Sequence, residues 1–322
     1  MSRWVEAVRR RPLLRVPVKA GGVVLLAVMV CFPHLPRLAR HLVRVSNLQA
    51  MIEPHAPDLA QWDGPLRERL EKTARVAAAK DTGPPFEAAA DWGELLQRLP
   101  PRQVQAEVER FVYERVSYAW DWELWWNADY LPTVAEIFAR AAAGDGVLRE
   151  DCDGRAVMAA SLMRRLGYES SLVTDLRHVW VVTPQGEWMG PGRAKTLIST
   201  PEGNRLALRT AWTNVPASLA YGLAVFPLWR ELVILGGAFL LVRHPRTPPR
   251  IQVLAALILL AGLLFMRCGG ADPRGAAGFS AWWPVWVGLL HWAAGFGTLA
   301  VCSHRARREA AARAGRTAAG EA

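Results

Sequence analysis

The chain has 322 residues, 39 Lys+Arg against 29 Asp+Glu, and a net charge of +10. Hydrophobic residues make up 52% and there are 15 Trp, which excludes a disordered polyelectrolyte. Four Cys exclude a disulfide-stapled scaffold, and the length suggests one or two domains.

Ala20 to Pro36 carries no charge and is flanked by Arg9-Arg10-Arg11, Arg15 and Lys19 before it and Arg37, Arg40 and Arg44 after it. A membrane span needs about 20 mostly apolar residues, so this run reaches span length only with its flanks. No small-x-small cleavage site follows, so an uncleaved anchor is preferred over a signal peptide.

Three further apolar runs lie near the C-terminus. Pro216 to Val242 is broken only by Arg230 and Glu231; Ile251 to Met266 and Phe279 to Cys302 are uncharged. Trp282, Trp283 and Trp286 open the last of these like an interfacial aromatic belt. Arg230 and Glu231 either sit mid-span, with His291 as a partner, or follow an interfacial stretch broken at Pro227.

Charge orients the spans. Residues 1–19, 243–250 and 303–322 hold 14 Lys/Arg against Glu6, Glu309 and Glu321, a net of +11; the rest of the chain nets −1. Four crossings with both termini in the cytoplasm give this pattern. Residues 37–214 then form one exported domain, between 1–36 and the membrane part at 215–302, with 303–322 a basic cytoplasmic tail. The exported domain has no positive excess, so nucleic acid is not an expected partner; the lipid bilayer is.

Within it, Pro65 to Lys80 reads as an exposed helix. Arg102 to Val116 puts Val104, Val108, Phe111, Val112 and Val116 on one helix face. Pro132 to Ala143 and Gly154 to Arg165 read as helices, the second ended by Gly167 at C′. Ser170 to Asp175 and His178 to Thr183 read as strands, with a turn at Gln185-Gly186. No zinc-type ligand spacing and no phosphate loop is present, so no metal or cofactor is expected.

Cys152 is the single cysteine of this domain; Cys31, Cys268 and Cys302 lie in or beside apolar runs. It sits in Glu150-Asp151-Cys152-Asp153-Gly154 at a helix start, where the macrodipole favours a thiolate and the flanking acids oppose it. His178 opens the second strand after that helix. A hairpin-paired strand can hold its imidazole near the helix N-terminus, which is what a thiol nucleophile needs.

Asp151-Cys152-Asp153-Gly154, then Leu166-Gly167-Tyr168, His178-Val179-Trp180-Val181 and Gly186-Glu187-Trp188 resemble the core of the transglutaminase-like superfamily. Phe111-Val112, Ser117-Tyr118, Asp121, Trp125, Asp129-Tyr130 and Pro132 resemble the lead-in of its bacterial cysteine-peptidase branch. The resemblance covers residues 105–192. It implies an α+β class: a papain/transglutaminase-like exported domain, its Cys helix packed on an antiparallel sheet, beside an α-helical membrane part of about four helices. It also implies acyl transfer with Cys152 as nucleophile and His178 as general base, on a peptide or protein substrate in the envelope. Gly190 stands where the family usually has Asp, and Glu187 is the hairpin's one acid. A dyad, a substitute orienting group, or a non-catalytic binding module all fit that departure.

Overall fold

The computed structural model describes residues 12–80, 92–174, 178–190, 197–200, 203–206, 222–268 and 283–320. The chain divides into two compact units, His34–Asn214 and a unit drawn from both ends, Met1–Pro33 with Val215–Ala322.

In the two-ended unit, α1 (Pro12–Cys31) carries the first apolar run. It ends just before Pro33, and a new helix, α2 (Leu35–Val45), starts across Pro36. Proline disfavours helical geometry in the residue before it, so the break falls where sequence chemistry puts it. Among the described residues, two helices are long and apolar enough to cross a membrane: Pro249–Cys268 and the Trp283–Glu309 part of a longer helix, with a third if α1 and α2 together make one broken span. Among the described residues, the apolar run after Pro216 is helical at 222–225 and again from Leu228 to Val242, with Pro227 as the N-cap of the second piece. Fifteen residues rise about 22 Å, short of a bilayer's hydrocarbon thickness. Arg230 and Glu231 therefore lie in its first turn. Glu231 pairs with Arg267 at 2.5 Å, and the same guanidinium takes the carbonyls of Leu223 and Phe226. His291, the partner expected from sequence, instead bonds the Val287 carbonyl through Nδ1 at 2.7 Å.

The Pro249–Cys268 and Trp283–Gly320 helices approach backbone to backbone. A Cβ at Gly288 would lie 2.5 Å from the Gly262 carbonyl, and one at Gly295 2.8 Å from Leu259 Cγ. Small residues at such a seam let dispersion contacts form along its length.

In the other unit, α2 is followed by 3₁₀ turns at Leu48–Met51 and Pro57–Leu59, and then by α3 (Ala60–Lys80). The sequence places the start of α3 at Pro65 and its faces in solvent. It begins five residues earlier and buries Trp62, Leu66, Leu70 and Ala74, an i, i+4 stripe. α4 (Trp92–Gln97) and α5 (Pro101–Arg115) follow; α5 buries Val104, Val108, Phe111 and Val112 as its periodicity predicts. Next come β1 (Ser117–Tyr118), α6 (Asp121–Leu124) and α7 (Val134–Ala143), which opens on a Thr133/Glu136 capping box. β2 (Arg149–Glu150) pairs in parallel with β1 and leads into α8 (Cys152–Arg165).

α8 is buried from Ala156 to Met163 without interruption, so it is a central helix. It closes in a Schellman motif: Gly167 N–H donates to Arg164 O, Tyr168 N–H to Met163 O, and Gly167 has φ +87°. It packs against α5 and against the sheet formed by β3 (Ser171–Thr174), β4 (Val179–Thr183), β5 (Gly186–Trp188), β6 (Leu197–Thr200) and β7 (Gly203–Leu206). The sheet is antiparallel throughout, in the order β5-β4-β3-β6-β7. One hydrophobic cluster joins α3, α5, α8, β3 and β4.

Candidate active site

Cys152 is the first residue of α8. Asp151 caps the helix, its Oδ1 accepting from the Asp153 N–H at 2.9 Å. α8 packs on β4, whose first residue, Val179, presents a backbone N–H that favours the Cys152 thiolate. His178 directly precedes Val179, so both sequence candidates meet where the start of α8 abuts the start of β4.

The imidazole is fixed by the backbone. His178 Nε2 lies 2.8 Å from the Met189 carbonyl oxygen. A carbonyl only accepts, so Nε2 carries the proton and, in the neutral ring, Nδ1 keeps its lone pair. The Met189 peptide is itself held at its other end, its N–H donating to Glu109 Oε1 at 3.1 Å. Met189 has φ +64° and Gly190 φ +73°, a turn that points the carbonyl at the ring. A Cβ on Gly190 would come within 3.1 Å of Nε2. Backbone thus fills the place where the family resemblance calls for a carboxylate. Glu187 accepts from the Trp180 indole N–H at 3.0 Å.

The thiol is not pre-ionised. Although the residue keeps partial solvent access, burial of the sulfur, then the Asp153 and Asp151 charges, raise Cys152 well above the usual thiol value. The S–H donates to Asp153 Oδ1 at 3.2 Å. The acids around it are more numerous than the sequence suggests. The β1–β2 pairing brings Asp121 beside Glu150 and Asp151, one carboxylate oxygen of each lying within 4.8 Å of the others. Asp121 Oδ2 accepts from the Tyr130 N–H and Glu150 Oε1 from the Trp125 indole N–H. Asp121 Oδ1 and Glu150 Oε2 are buried without a partner among the described residues. Desolvation first, then neighbouring carboxylates, raise Asp121, Glu150 and Asp153 well above the usual range and Asp151 to about 7. Buried like charges neutralise by holding protons or by taking a cation. Asp121, Glu150 and Asp151 are the described residues placed to offer oxygens to a hard cation.

The tryptophans of residues 120–126 split. Trp120 stacks on Trp122 at 4.7 Å, Trp125 is buried against Tyr130, and Trp126 is exposed. No family model, curated protein or solved structure matches the chain.

Proposed function

We propose that the chain is a membrane-anchored thiol enzyme of the transglutaminase-like class, acting on amide or peptide bonds outside the cytoplasm. The observation that carries this reading is the junction of α8 and β4: Cys152 opens the helix that packs on the strand following His178, and that histidine's Nε2 is tied back to the Met189 carbonyl. A helix with Cys at its start, packed on an antiparallel sheet with His on the adjoining strand, supports the family resemblance.

In this mechanism Cys152 Sγ attacks the substrate carbonyl carbon while its proton passes to His178 Nδ1. The tetrahedral oxyanion takes backbone N–H donors at the α8 start. Collapse breaks the C–N bond, and His178 returns the proton to the leaving amine. Water or a second amine then releases the acyl group from the thioester; hydrolysis is favoured over cross-linking because the lead-in resembles the peptidase branch. Because the resting thiol is neutral, proton transfer accompanies attack. The Met189 carbonyl holds the tautomer as a carboxylate would, but a dipole stabilises the imidazolium less than a full charge.

A second reading has its own support. The raised thiol and its bond to Asp153 suit a domain that binds a peptide or partner without turnover. The charge pattern supports cytoplasmic termini and a cytoplasmic 243–250 loop, hence four crossings with Cys152 on the periplasmic or extracellular side of the cell membrane; the second crossing then needs residues before Leu228 as well as the Leu228–Val242 helix.

The test is site-resolved mass spectrometry of Cys152 in the full chain, treated with iodoacetamide at fixed pH beside His178→Ala. The enzyme reading expects alkylation to slow about tenfold or more in the variant, the range typical of a lost general base. Equal rates would overturn it in favour of the binding module. A reporter fused after Ala322 should behave as cytoplasmic; an exported one overturns the four-crossing topology.

A further inference from the structure

A cavity of about 660 Å³ opens in the His34–Asn214 unit between α2, α7 and the segment leading to β2. Its walls carry four guanidinium groups, from Arg37, Arg40, Arg140 and Arg149, against two carboxylates, from Glu136 and Asp145. The pairing is uneven. Arg40 Nη1 is 3.0 Å from Glu136, and Arg149 grips both oxygens of Asp145 at 2.9 and 2.6 Å. Arg37 donates to the Trp125 carbonyl at 2.6 Å, and Arg140 makes no ion pair among the described residues. The guanidinium carbons of both lie over the Trp125 ring, at 5.7 and 5.2 Å.

Two positive charges therefore share one aromatic wall without a carboxylate. Burial, with Arg37 and Arg149 adding repulsion, depresses the proton affinity of Arg140, although Glu150 pulls the other way. Arginine cannot escape by deprotonation at any physiological pH. A cavity of this size matches small-ligand sites, and guanidinium forks match phosphate oxygens.

We propose that this cavity binds a phosphate-bearing ligand, Arg37 and Arg140 supplying the charge that balances a phosphate group. The ligand is a free phosphate ester or a lipid headgroup. The second source is within reach of the chain, because α2 opens four residues after apolar α1 closes. The site is independent of the Cys152 chemistry.

Calorimetric titration of the full chain in detergent separates the outcomes. The probes are inorganic phosphate, succinate, and short-chain phosphatidylglycerol and phosphatidylcholine, at constant ionic strength. Phosphate or phosphatidylglycerol should bind, and Arg140→Gln should weaken that binding by about tenfold or more, the scale of a lost charge-assisted contact. Ala139→Glu, on an exposed position of the cavity wall, should do the same without removing any packing. Cys152→Ala should bind like wild type, so failure of the enzyme reading leaves this one standing. Binding of phosphate identifies a free ester as the source, and binding of phosphatidylglycerol alone identifies the headgroup. The proposal is overturned if neither binds, if succinate binds instead of phosphate, or if both cavity variants bind as tightly as wild type.

Discussion

Trp125 separates two charged regions of opposite sign. Beyond its indole N–H lie Glu150, Asp121, Asp151 and Asp153, gathered at the start of α8. Over its ring lie Arg37 and Arg140. Both regions crowd like charges, yet they relieve the crowding differently. A buried carboxyl can take up a proton near neutral pH, as Asp151 does with a value of about 7. A guanidinium cannot shed one, so it must find an acid, a carbonyl or a ligand. The acidic side therefore titrates, and the basic side binds.

The basic side contains its own control. Arg44, one helical turn from Arg40 on α2, is fully used: it donates to the Tyr130 hydroxyl, the Leu131 carbonyl and both oxygens of Glu136. Burial alone would raise Glu136, but the bonds from Arg44, Thr133 and Tyr130 hold it below the usual carboxylate value. Arg44→Met should cost about 2–3 kcal/mol, because it removes the charge-assisted bonds to a half-buried carboxylate, which keeps Arg40, Tyr130 and Thr133, and strips a donor from the Tyr130 hydroxyl and the Leu131 carbonyl. Denaturant unfolding of the full chain checks this. A cost below that of an ordinary surface substitution would erase the distinction between used and unused arginines.

On the acidic side the sharpest change is Gly154→Ala. The added Cβ would sit 2.5 Å from Glu150 Cγ and 2.7 Å from its Oε2. Glu150 must swing away, releasing the Trp125 N–H it accepts from. The expected cost is about 1–3 kcal/mol from overpacking. Trp125 borders both regions, so phosphate binding in the basic cavity should weaken with it. An unchanged affinity would show that the two sides are mechanically separate.

The acid cluster also sets a pH dependence. A carboxyl whose folded value lies above its unfolded one binds its proton more tightly in the folded state. Stability from that proton is complete below the unfolded value of 3.8 for Asp151, and is lost as pH rises through about 7. The apparent melting temperature of the His34–Asn214 unit should therefore fall as pH rises through the neutral range. Asp151→Asn, which keeps the N-cap oxygen but removes the proton, should flatten that slope. A melting temperature that rises over this range would mean the cluster is neutralised by something other than protons.

Much of this arrangement is legible in the amino-acid sequence alone. The α8 helix is marked at both ends, by Asp151 as cap and Gly167 at C′, although its burial from Ala156 to Met163, Ser161 included, is seen only in the structure. Cys152 and His178 stand out by residue type, and the short β3–β4 link predicts that they meet. The group that orients His178 is not legible, because a backbone carbonyl leaves no mark in the sequence; Gly190 hints only at a turn. The acid cluster is hidden for a different reason. Asp121 and Glu150 are far apart in the chain and are joined only by a two-residue parallel pairing. Arg37 and Arg40 merge into the charge flanking the first apolar run, where one role conceals another. At Arg230 and Glu231 the sequence leaves two readings open; the helix that starts after Pro227 puts both residues in a first turn.

The smallest predicted effect is the most telling for the contrast across Trp125. Arg140→Gln removes a cation that makes no ion pair among the described residues and whose guanidinium is already disfavoured by burial and by Arg37. What it loses is the contact over Trp125, worth about 0.5–1 kcal/mol at a partly exposed site. What it gains is relief from like-charge repulsion of similar size. Stability should therefore change by no more than about 0.5 kcal/mol, the range of neutral surface changes. Phosphate should reverse this balance. Saturating phosphate should raise the melting temperature of wild type more than that of Arg140→Gln, because a tenfold weaker site gives about 1.4 kcal/mol less stabilisation of the folded state. An arginine kept for the fold would show the opposite order, a large loss without ligand and equal response with it.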